Sequence, residues 1–79
     1  MGFSYEMLIS HLRQNREIEF FYGNNKYSIS NNVNGYYLTE YGKQDYQTFH
    51  TIDDLLANGM IANQPIHNVW KDVIIDVIF

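Results

Sequence analysis

Seventy-nine residues with a net charge of −4 make one small domain; a chain of this length buries only about 60% of its unfolded surface, so its core is small. The lack of cysteine excludes a disulfide framework and a thiolate metal site. Nine acidic against five basic side chains disfavour nucleic acid or an anionic membrane as partner, since both need Lys and Arg to neutralise phosphates.

The first residues have no basic segment followed by an apolar one, so no signal peptide is expected. No apolar run approaches the ~20 residues that span a bilayer. A cytoplasmic location without membrane association is the expectation.

Ser4 is placed to cap a first helix running to about Asn15. Tyr5, Leu8, Ile9 and Leu12 follow the i, i+3, i+4, i+7 rule and form its apolar stripe, while Ser10, His11, Arg13 and Gln14 face away. The positive charge of Arg13 and Arg16 near its end suits the helix dipole.

From Glu17 to His50 the chain reads as an antiparallel meander of four strands. Asn24-Asn25 and Asn34-Gly35 are hairpin signals, because these residues tolerate positive φ. Gly42 to Asp45 form a longer loop. These turns set Tyr22 opposite Tyr27, Val33 opposite Tyr36, and Tyr41 opposite Tyr46. They also set Phe20 opposite Ile29 and Leu38 opposite Phe49.

Side chains alternate along a strand, so the registers sort the residues by face. One face carries Ile18, Phe20, Tyr22, Tyr27, Ile29, Val33, Tyr36, Leu38 and Phe49, with Glu40 and Gln47 at its margin. The other carries Glu19, Phe21, Ser28, Ser30, Tyr37, Thr39, Tyr41, Tyr46, Thr48 and His50. The first helix is expected to lay Leu8, Ile9 and Leu12 on Phe20, Ile29 and Leu38.

Thr51 then caps a second helix with Asp53 and Asp54 in its first turn and Gly59 after its end. Pro65 opens a further helical turn at Ile66 to Lys71. The run Val73 to Phe79 fits a helical stripe, but its β-branched content favours a strand beside the meander. The fold class expected is therefore α+β: an N-terminal helix, a four-stranded antiparallel meander, short C-terminal helices and a fifth strand, in one domain over residues 1–79.

Arg16-Glu17-Ile18-Glu19-Phe20-Phe21-Tyr22, Lys26-Tyr27-Ser28-Ile29, Thr51-Ile52-Asp53-Asp54-Leu55-Leu56 and Val69-Trp70 together resemble small proteins of unknown function from low-GC Gram-positive bacteria and their prophages. The resemblance implies a cytosolic accessory protein of a mobile element. Its motifs are fold signals, and it transfers no functional residue.

Residues with chemical potential are sparse. His11, His50 and His67 lack the spacing of metal ligands. Asp53 and Asp54 are explained by the start of a helix. There is no nucleophile elbow and no Gly-rich phosphate loop. No cofactor, metal or catalytic residue is assigned.

What stands out is the second sheet face, where Phe21, Tyr37, Tyr41, Tyr46 and His50 would form a partner-binding platform. Tyr supplies contact area at low entropic cost. A protein partner or self-association is expected. The alternatives are a nucleic-acid accessory role with Lys26, Lys43 and Tyr41 at loop ends, and a minimal enzyme centred on His50.

Overall fold

The computed structural model describes residues 3–79. The elements are α1 (Tyr5–Arg13), β1 (Ile18–Tyr22), β2 (Asn25–Asn32), β3 (Gly35–Glu40), β4 (Tyr46–Phe49), α2 (Ile52–Asn58), β5 (Met60–Ile61), β6 (Gln64–Pro65), α3 (Ile66–Val69), a 3-10 turn (Trp70–Asp72) and β7 (Ile74–Ile78). The main sheet has the order β4-β3-β2-β1-β7, antiparallel throughout. The α+β class, the meander, the short C-terminal helices and the fifth strand of this sheet all stand as expected. β5 and β6 form a separate two-stranded hairpin, which was not foreseen.

Every meander register differs from the expected one by two positions. Phe20 faces Tyr27, Ile29 faces Leu38, and Thr39 faces Tyr46. A displacement of two retains each side chain's face, whereas a displacement of one would have inverted the sheet. The turns move accordingly. Gly23 takes φ 62° at the first central position, which a type II′ turn reserves for glycine.

The next turn centres on Val33-Asn34, where the Asn32 side chain accepts the Asn34 N–H at 2.8 Å. Gly35 follows with φ 140°, and a Cβ there would collide with the Phe49 carbonyl oxygen. Val33, expected on the apolar face, is therefore a turn tip and 100% exposed.

The core lies between one face of this sheet and the helices. Ile18, Phe20, Tyr27, Ile29 and Leu38 from the sheet meet Leu8 and Leu12 of α1, Leu55 of α2, Ile66 and Val69 of α3, and Trp70. Phe20 is fully buried, stacked on Tyr27 at 5.6 Å and edge-on to Trp70 at 5.2 Å. Aromatic pairs of this kind add to area burial.

The Trp70 indole N–H donates to the Ser4 carbonyl at 3.2 Å, so a buried polar atom is satisfied. Ser4 also caps α1 through the Met7 N–H, and Thr51 caps α2 through the Asp54 N–H. Ile9 is only half-buried, so Tyr5 with Leu8 and Leu12 carries the α1 contact. His11 does not face freely away. It is half-buried and stacked on Phe3 at 5.3 Å, and its Nδ1 is buried without a hydrogen-bond partner.

Candidate functional site

All helices cover the same side of the sheet, and none of the ten residues assigned to the opposite face is buried. The open face divides into two clusters. In the first, Tyr37 and Tyr46 meet edge to face at 5.8 Å. They are diagonal neighbours, since Tyr37 pairs with Thr48 and Tyr46 with Thr39. The Tyr37 hydroxyl donates to the Asn32 side-chain oxygen at 3.0 Å, which fixes the ring. Two shallow depressions of about 310 and 330 Å³ flank the pair, the second bordered by Thr48 and His50. Tyr46 is 59% exposed, and His50 is exposed at the strand end.

The second cluster is built around Lys26. Its ammonium lies 3.0 Å from Asp76 Oδ2 and 3.1 Å from Glu19 Oε1. It also stands over the rings of Tyr41 at 4.9 Å and Phe21 at 5.7 Å. The bond to Asp76, and then that to Glu19, hold the Lys26 pKa above its ordinary range. The adjacent Glu19 carboxylate likewise raises the Tyr41 phenol.

Asp76 reaches this face because β7 carries a bulge. Glu19 pairs with Val77 and Phe20 with Ile75, leaving Asp76 as the extra residue. Ile74, opposite Phe21, adds a large apolar side chain that is 68% exposed.

The expected residues are thus on one face but not in one patch. Tyr37, Tyr46 and His50 group at the β4 edge, and Phe21 and Tyr41 group near β7. Tyr41 does not pair with Tyr46. β3 ends at Glu40, and the Tyr41 N–H bonds to the Lys26 carbonyl at 2.9 Å. Lys26 was visible only as a loop-end cation, and the roles of Asp76 and Ile74 depend on a strand pairing distant in sequence. Among the described residues no group of three His, Cys, Asp or Glu side chains converges. No helix of the described residues is long and apolar enough to cross a membrane.

No family model, no curated protein and no solved structure matches this chain.

Proposed function

We propose that this chain is a small non-catalytic interaction module that captures a protein partner, or a second copy of itself, on the open face of its sheet. The observation that carries this reading is a helical layer on one side and an uncovered aromatic layer on the other. Tyr41 and Tyr46 are at least half exposed, and Ile74 more so. Aromatic and aliphatic side chains held on a sheet surface are what interface hot spots require.

The same face weighs against nucleic acid. A base-stacking platform needs free cations along it, and Lys26 is shared between two carboxylates. The resemblance to prophage and low-GC Gram-positive proteins extends the proposal to a cytoplasmic accessory protein of a mobile element.

The test is capture by the immobilised chain from cytosolic extract, with partners identified by mass spectrometry. Tyr37→Ala with Tyr41→Ala removes one ring from each cluster and leaves the core untouched. The double variant should keep its thermal midpoint and lose the partner. Capture equal to that of the parent chain would reject the proposal.

A further inference from the structure

A third depression, of about 360 Å³, lies at the end of the meander on the helix-bearing side, between the β3–β4 loop and the β5–β6 hairpin. Its volume falls within the range of ligand pockets. It shares Tyr46 with the open face, but its other lining residues do not belong to that face, and it does not depend on the function proposed there.

Its accessible apolar surface comes from the Met60 side chain, 40% exposed, and the Tyr46 ring, set over Tyr27 and Leu38, which are buried beneath. The wall is fixed, because the Gln47 amide bonds both the N–H and the C=O of Met60 at 2.8 Å. Glu40 and Asp45 contribute carboxylates, and Lys43 contributes one ammonium. Among the described residues neither carboxylate belongs to an ion pair, since both ion pairs are made by Lys26. The lining therefore combines a greasy floor with a net charge of −1, counted as two carboxylates less one ammonium.

We infer that this depression takes an arginine side chain of a partner polypeptide. Such a residue matches both halves of the site. Its methylene stem covers Met60 beside the Tyr46 ring, and its charged head stays with the carboxylates. The planar guanidinium presents several donors at once, which suits two separated carboxylates beside the Tyr27 hydroxyl better than a point-charge ammonium does. An acidic side chain meets repulsion here, and a purely apolar one leaves the carboxylates unanswered.

The experiment titrates the isotope-labelled intact chain with blocked tripeptides and follows backbone amide shifts. Gly-Arg-Gly should shift Lys43, Met60 and Ala62 saturably, while Gly-Glu-Gly and Gly-norleucine-Gly should not. Glu40→Gln with Asp45→Asn should weaken Gly-Arg-Gly at least about tenfold, the loss expected when a charged hydrogen bond is removed. Lys43→Gln should tighten it about two- to fivefold by removing a like charge. The inference is overturned if Gly-Arg-Gly produces no saturable shift at these amides, or if norleucine shifts them equally. It is also overturned if Lys43→Gln weakens binding, or if a folded double variant binds as the parent does.

Discussion

Gln47 and Met60 are joined twice: the Gln47 amide nitrogen donates to the Met60 carbonyl, and the Met60 N–H donates to the Gln47 amide oxygen, both at 2.8 Å. A side chain here does what a neighbouring strand would do. It lets a polar residue occupy the apolar face of β4, opposite Leu38, and it anchors the β5–β6 hairpin to the main sheet. Gln47→Ala leaves both backbone groups without that partner. The expected loss is about 1–2 kcal/mol, because the site is half-buried and water recovers part of it. Urea denaturation should show a lower midpoint with an unchanged slope.

Neighbouring phenylalanines should behave oppositely. Phe20 is fully buried between Tyr27 and Trp70, so Phe20→Ala should cost about 3–5 kcal/mol. Phe21 lies on the open face under the Lys26 ammonium, so Phe21→Ala should cost about 1 kcal/mol or less. Equal losses in equilibrium unfolding would contradict the assignment of faces.

The hairpin turn Ala62-Asn63 places both residues at positive φ, 52° and 63°. Asn tolerates that region, but Ala pays a steric cost of about 1 kcal/mol or more. Ala62→Gly relieves the clash while loosening the unfolded chain. The net expectation is a gain of about 0.5 kcal/mol, read as a small rise in thermal midpoint.

Alkaline pH should destabilise the fold. Burial raises the phenols of Tyr5 and Tyr27, the latter with help from Glu40, and Glu19 raises that of Tyr41. Asp76 and Glu19 raise the Lys26 ammonium. All four groups hold their protons more tightly folded than unfolded. Their contribution is complete below the unfolded values of about 10 to 10.5 and is lost as pH rises through the folded ones. Stability should therefore fall above about pH 10. Tyrosinate absorbance should appear partly above the ordinary phenol range when folded, and in one step in urea.

The two faces of the meander were readable because alternation is indifferent to a displacement of two residues. Turn positions were less so. Asn34-Gly35 looks like a type I′ pair, yet the Asn32 side chain moves the turn back to Val33-Asn34, and Gly35 is needed for its approach to Phe49. The β5–β6 hairpin has two residues on each side, too short for any periodicity, and Ala62 is not a turn residue by composition.

Phe21, Tyr37, Tyr41, Tyr46 and His50 were placed on the right face from the pattern alone. Their division into two clusters was hidden. It follows from where β3 ends and from a bulge in β7 that brings Asp76 to Lys26.

β1 lies between a neighbour that follows it immediately and another, β7, supplied by the far end of the described chain. During synthesis the N-terminal helix and the meander leave the ribosome first, and β1 then has one row of backbone donors and acceptors bare. Until Ile74–Ile78 emerge, that row is open to any extended segment nearby. Pairing with β7 therefore removes an exposed edge that the meander alone would leave open to association.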